Sequence, residues 1–337
     1  MTKIKLLSIA AILGAVCLTG CSKQGGGESE EEKPYAPIVF VMAGQSNMEG
    51  NSYFDNGNKW LEKALTKLGI EDGDKCFDGI DSVLTSYYGC GYGEITNENN
   101  IHASNTEKGK KIQGKFLPTK VGMGAKDTMF GPELGLAYAL SEYATAEQPI
   151  YLIKNGISGS GFAQSGTDYN WDVTLTKNAY ELSLKKFVQN NLNNIEEETG
   201  LKPVIKGFIW HQGESDSDEK KIPNYKTNMD NLLNKFKEDF EGYAPDEDKD
   251  NIAFIDCTLS TQSGAAANNK GVNAEKVKIS EESDMNFLVD GNEAGLKICT
   301  NGFGDNKGAN GSLHYEAESE FKMGTLFGQV IIDNLLD

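Results

Sequence analysis

Three short segments contain the residues best suited to move protons and acyl groups. The first is Gly44-Gln45-Ser46-Asn47-Met48, which directly follows an apolar run. A serine at a strand-to-helix turn projects its hydroxyl from a sheet edge and aims its own N–H outward, where it can meet an oxyanion. The second is Trp210-His211-Gln212-Gly213-Glu214-Ser215-Asp216, with an amide at Gln212 and a carboxylate at Glu214. The third is Leu313-His314-Tyr315, whose imidazole could take the serine proton. Each segment also has a plainer reading: a helix-capping serine, a polar acidic turn, and a surface histidine. His211 sits at a strand end and suits a structural role. His102 lies in a polar stretch with nothing to support it.

These residues need a scaffold that brings distant segments to one edge. Pro37–Ala43, Ile150–Lys154, Val204–Trp210 and Ile252–Asp256 are short apolar runs that read as buried strands. Between them lie helical patterns near 131–143, 175–195 and 225–240, and a last one over 316–336. Gly131-Pro132-Glu133 opens the first with proline in its initial turn. The alternation predicts an α/β fold, a three-layer α/β/α sandwich with a central parallel sheet of flavodoxin-like type. Ligands of such sheets sit at the carboxyl ends of the strands. Residues 51–128 interrupt the rhythm and read as a long polar insertion containing one helix, Trp60–Leu68; residues 258–312 are a second polar stretch. Trp60, Tyr87, Tyr88 and Tyr92 in the first insertion could stack on sugar rings or pack a small subdomain.

Composition narrows the substrate. The chain has 337 residues, 32 Lys+Arg against 50 Asp+Glu, and a net charge of -18. Every cation is lysine. So acidic a protein repels phosphate backbones, which excludes nucleic acid as a partner. Without arginine there is no guanidinium fork for a carboxylate or phosphate, which favours neutral substrates.

The first 20 residues, with Lys3 and Lys5 ahead of an apolar run, read as an export signal. Leu18-Thr19-Gly20-Cys21 resembles a bacterial lipobox, which implies cleavage before Cys21 and lipidation of its thiol. Two acyl chains would hold the protein on a membrane. Residues 21–35 then form a linker, glycine-rich and acidic, and 36–337 a single catalytic domain. The expected location is exported and lipid-anchored, on the periplasmic or cell-surface side, with the bilayer as partner. Of the six cysteines, Cys76, Cys90, Cys257 and Cys299 remain, with Cys76–Cys90 and Cys257–Cys299 as the local pairings and free thiols as the alternative. Asp246, Asp248 and Asp250 imitate a calcium loop, but Asn251 and Cys257 stand where glycine and glutamate belong. No metal or other cofactor is expected.

Taken together, GQSNM, IKNGISGSG, WHQGESD and LHYEAESEFKMG resemble the SGNH hydrolases, and more narrowly the sialate O-acetylesterase/acetylxylan esterase-like carbohydrate esterases. The resemblance spans about 37–336. It implies a serine esterase that removes O-acetyl groups from an acetylated oligo- or polysaccharide, of the acetylxylan type or a related one. By resemblance Ser46 is the nucleophile and His314 the base. The N–H groups of Ser46 and Gly159 and the amide of Gln212 form the oxyanion hole. Ser158-Gly159-Ser160 stands where the family has Gly-Gly-Thr. Many SGNH enzymes place an aspartate three residues before the histidine; here that residue is Gly311. Glu214 is the first choice for the missing acid. A dyad steadied by a backbone carbonyl is the second, and Asp305 and Asp216 are weaker. The alternatives are a sialate O-acetylesterase and a non-catalytic glycan-binding lipoprotein on an esterase fold.

Overall fold

The apolar run after Ala36 forms β1, Ile38–Gly44, buried from Val39 onward. Its side chains alternate between two cores. Val39, Val41 and Ala43 face Phe187, Leu192 and Ile195 of helix Lys185–Thr199 and Met229, Leu232 and Phe236 of helix Ile222–Asp239. Phe40 and Met42 face Leu136 and Leu140 of helix Glu133–Leu140 and Met323, Phe327 and Ile331 of helix Ala317–Asn334. A strand covered on both faces by helices is the middle of a three-layer α/β/α sandwich. Each such side chain taken from water contributes about 1.5–3 kcal/mol before the entropy cost of ordering it.

The computed structural model describes residues 36–55, 57, 59–90, 115–162, 170–262, 268–299 and 313–336. The export signal, Cys21, the linker, His102, Tyr92, Asp305 and Gly311 lie outside them, as do the side chains of Tyr88 and Cys90. Tyr35–Asp337 forms one compact unit. No helix among the described residues is long and apolar enough to cross a membrane.

Short strands β2, Ser52–Tyr53, and β5, Met129–Phe130, pair with each other. The main sheet has seven strands: β3, Ile80–Cys90; β4, Leu117–Thr119; β6, Ile150–Ile157; β7, Val204–His211; β8, Ala253–Cys257; and β9, Asn286–Val289, besides β1. Their order is β4-β3-β6-β1-β7-β8-β9. All neighbours are parallel except β3 and β4. The chain builds one way from β1 through β6 and the other through β7, so the strand order reverses at β1. The crevice outside that point is where such sheets bind ligands.

Two expectations need correction. The stretch 51–128 is not wholly an insertion, because β3 is an eleven-residue strand of the central sheet, parallel to β6. Its sequence, IDSVLTSYYGC, carries Asp, Ser and Thr. Ser86 and Thr85 are nonetheless buried, and Thr85 is bonded to Thr119 at 2.7 Å. Likewise 258–312 holds helix Lys270–Ser280 and edge strand β9. The expected local disulfides do not form: Cys76 and Cys257 are buried free thiols.

Candidate active site

The register of β1 sets the site. Gly44, its last residue, pairs with Gly156 of β6 and with His211 of β7. The segments that follow, Gln45-Ser46, Ser158-Gly159 and Gln212-Glu214, therefore emerge side by side at one carboxyl edge. Ser46 opens the four-residue helix α1, Ser46–Glu49, and is 7% exposed. As a first helical residue its N–H has no carbonyl within the helix to bond.

Asn47 joins the histidine segment to this edge. Its Nδ2 donates to Leu313 O at 3.0 Å, and its Oδ1 accepts from the Tyr315 N–H at 3.4 Å. The residues on both sides of His314 are thus held by the side chain next to Ser46, across 266 and 268 positions of sequence. The segment is fixed from behind as well. Cys299 N–H donates to His314 O at 2.8 Å, and Ser52 Oγ donates to Tyr315 O at 2.7 Å.

The same Asn47 Nδ2 donates to Glu214 Oε1 at 2.7 Å. Glu214 Oε2 and His314 Nδ1 are both buried without a hydrogen-bond partner. One is an acceptor and the other a donor in the tautomer a general base needs, so the two are chemically complementary. Burial pushes the Glu214 carboxyl up, opposed by its own backbone N–H, the Asn47 amide and Lys276. Burial also pulls His314 down to about 4. Its imidazole is therefore neutral at neutral pH and able to accept a proton.

Gln212 also lies at this edge, with its amide turned to partners inside the protein. It is fully buried, and its Nε2 lies 2.7 Å from Asp216 Oδ2, 3.1 Å from Gln45 Oε1 and 3.3 Å from Ser160 O. An amide nitrogen with two hydrogens and three internal acceptors has none left for an oxyanion, so in this geometry Gln212 braces the loops around the site. Asp216 is occupied too: its carboxylate accepts the Phe162 N–H at 3.1 and 3.0 Å. His211 is buried against the Tyr315 ring, 5.6 Å between centroids, with its pKa lowered by desolvation and by Lys276. Trp60 packs partly buried on the Leu61–Phe130 cluster, and Tyr87 is half-buried with Lys154 Nζ 5.8 Å from its ring.

Sequence reasoning missed Gln45, Asn47, Glu49 and Asn51. Asn47 was legible in principle, since an amide beside a nucleophile must find partners once buried. Glu49 stands one helical turn after Ser46, on the same face. No group of three or more His, Cys, Asp or Glu among the described residues could hold a metal.

Solved structures share this architecture. A protein from Arabidopsis thaliana superposes with a TM-score of 0.55 at 16% identity, covering 89% of this chain and 99% of its own. The structure of NanS gives 0.57 at 11%, covering 89% and 98%. XAC1771, a carbohydrate acetylesterase from Xanthomonas citri, gives 0.48 at 12%, covering 87% and 55%. No curated protein sequence matches significantly. The family model for carbohydrate esterases described as sialic acid-specific acetylesterases matches residues 37–333. The chain therefore belongs to that family of carbohydrate esterases and is a carboxylic ester hydrolase.

Proposed function

We propose that the protein removes O-acetyl groups from neutral carbohydrates, of the acetylxylan type or a related glycan, through an acetyl-enzyme on Ser46. The observation that carries this reading is the Asn47 side chain, which binds the backbone on both sides of His314 and the Glu214 carboxylate together. His314 takes the Ser46 proton as Ser46 Oγ attacks the acetyl carbonyl. The oxyanion meets the N–H groups of Ser46 and Gly159, each contributing on the order of 3 kcal/mol. His314 returns the proton to the departing sugar oxygen, and water cleaves the acetyl-enzyme by the same route. Glu214 orients the imidazole and stabilises it once charged.

Neutral sugar is favoured because the sequence has no arginine and the site carries Glu49, Glu214 and Asp216. Two buried lysines nearby are already engaged: Lys154 with Glu133 at 2.7 Å and Lys276 with Asp256 at 2.6 Å. The family description favours a second reading, a sialate O-acetylesterase. Acetate release from acetylated xylan and from O-acetyl sialic acid, with Ser46→Ala as control, separates the two. Faster release from sialate would reverse the substrate assignment. A Ser46→Ala chain as fast as wild type would end the serine mechanism, and sugar binding without turnover by the wild type would favour the non-catalytic glycan binder. The lipobox-like Leu18–Cys21 supports an exported protein anchored to a membrane through Cys21, testable by metabolic labelling with a fatty acid and its loss in Cys21→Ser.

A further inference from the structure

The end of β6 turns through Ile157–Ser160. The Ser160 N–H donates to Ile157 O at 3.2 Å, and Gly159 has φ +73. A left-handed third residue is what glycine supplies in such a turn. Turn geometry makes no such demand at the second position, yet Ser158 there is held firmly. Its Oγ donates to Glu49 Oε2 in a short contact. Asn51 Nδ2 reaches the same Oγ at 3.5 Å and donates to Ser46 O at 2.8 Å. Glu49 is only 3% exposed, so its carboxylate needs such a donor. Below this contact the backbones of α1 and β6 touch: a Cβ on Gly156 would stand 2.3 Å from Glu49 Cα.

We propose that Glu49 and Asn51, acting through the Ser158 hydroxyl, are positioning residues that set the separation between the Ser46 and Gly159 backbones, and so the width of the oxyanion pocket. This rests on the esterase reading above. The far side of the turn is anchored independently, by Trp171 Nε1 donating to Ser160 Oγ at 2.7 Å and by Gln212 Nε2 on Ser160 O at 3.3 Å. Gly159 lies between the two anchors. Glycine is the residue least able to hold its own dihedrals, so the direction of its N–H depends on both. A bond from a hydroxyl to a carboxylate is of the strong, charge-assisted kind suited to fixing one side. The serine that replaces the family's first glycine is, on this view, half of a tether.

The test uses Ser158→Ala, Glu49→Ala and Glu49→Gln in the full chain. The readouts are kcat and KM on an aryl acetate, affinity for a small alkyl boronic acid that mimics the tetrahedral adduct, and the melting temperature. Ser158→Ala and Glu49→Ala should lose about tenfold to a hundredfold in kcat, the scale of a misplacement near an ångström. KM should stay within about twofold, because the lost contact acts in the transition state. Boronate affinity should fall in parallel with kcat. Glu49→Gln keeps an acceptor for Ser158 and should recover most of the rate. Ser158→Ala with wild-type kcat and boronate affinity overturns the tether, as does a lowered melting temperature with unchanged kcat. Should Glu49→Ala fail to fold, Ser158→Ala alone decides. A wild-type chain that does not turn over the aryl acetate overturns the esterase reading and the tether with it. An active wild type with an unaffected Ser158→Ala overturns the tether alone.

Discussion

The two flanks of β1 hold their buried ionisable groups in different ways. On the β6 side Lys154 is 1% exposed, and its ammonium meets Glu133 Oε2 at 2.7 Å, Met123 O at 2.7 Å and Glu49 O at 3.1 Å. Three donors have three acceptors, and the last of these ends α1. On the β7 side both ring nitrogens of His211, Gln212 Oε1, Glu214 Oε2 and His314 Nδ1 are buried with no partner. Each such group costs about 1–3 kcal/mol relative to a satisfied one. Lys154 ties the end of α1 to β6, whereas Glu214 and His314 keep hydrogen-bonding capacity in hand. Rigid support on one side and unsatisfied donors and acceptors on the other is how a preorganised site divides its work.

The sharpest way to break this comparison is Glu214→Gln. If the open carboxylate oxygen serves His314, kcat should fall by up to about 10⁴-fold, the scale seen when an orienting acid becomes an amide. Near-wild-type turnover of an aryl acetate would leave the β7 flank without its chemistry. Lys154→Met tests the other flank and should act on stability instead. Removing the cation strands Glu133, and denaturant unfolding should show a loss of about 3–5 kcal/mol. Adding Glu133→Leu should return much of it, since a buried pair replaced by packed apolar groups is often neutral. An unfolding midpoint unchanged in Lys154→Met would mean the pair is not a support. Asn47→Ala, which frees both His314 and Glu214, should cost about a hundredfold in kcat by misplacement. Comparison of kcat with KM checks it: a change confined to KM would put Asn47 on substrate and not on the base.

The sequence carried the strands of the sheet's middle well, because continuous apolar runs such as PIVFVMA can only be buried. It carried β3 and β9 poorly. In β3 the buried Thr85 pairs with Thr119 within the sheet, so burial there has no apolar signature. At the site, Ser46 and His314 stood out by residue type and motif. Asn47 and Glu49 did not, although they lie within four residues of Ser46, because their roles come from partners 109 to 268 positions away. At Gln212 motif and packing point to different partners. A motif position suggested an oxyanion donor, and local packing directs the amide to Asp216 and Gln45 instead.

The smallest expected effect belongs to Asp216→Asn, and it sharpens the choice of acid. The wild-type kcat/KM should fall only as pH drops through about 4, because burial holds the His314 pKa there. The sign follows from the base: neutral imidazole is the active form, and a depressed pKa keeps it neutral over a wider acid range. Stability should fall in the same direction but over a higher pH range. An unfolded histidine takes up its proton near the usual value of about 6.5. The folded state therefore loses stability as pH falls from there toward the folded pKa. Asp216 touches Phe162 N–H and the Gln212 amide, so Asp216→Asn should remove about 1–2 kcal/mol from folding. It should leave the midpoint of the acid limb where it is. Glu214→Gln, by removing the carboxylate with which a protonated imidazole would form an ion pair, should move that midpoint further down. A limb that shifts in Asp216→Asn and stays in Glu214→Gln would transfer the orienting role to Asp216, and the filled network around Gln212 would then be part of the chemistry.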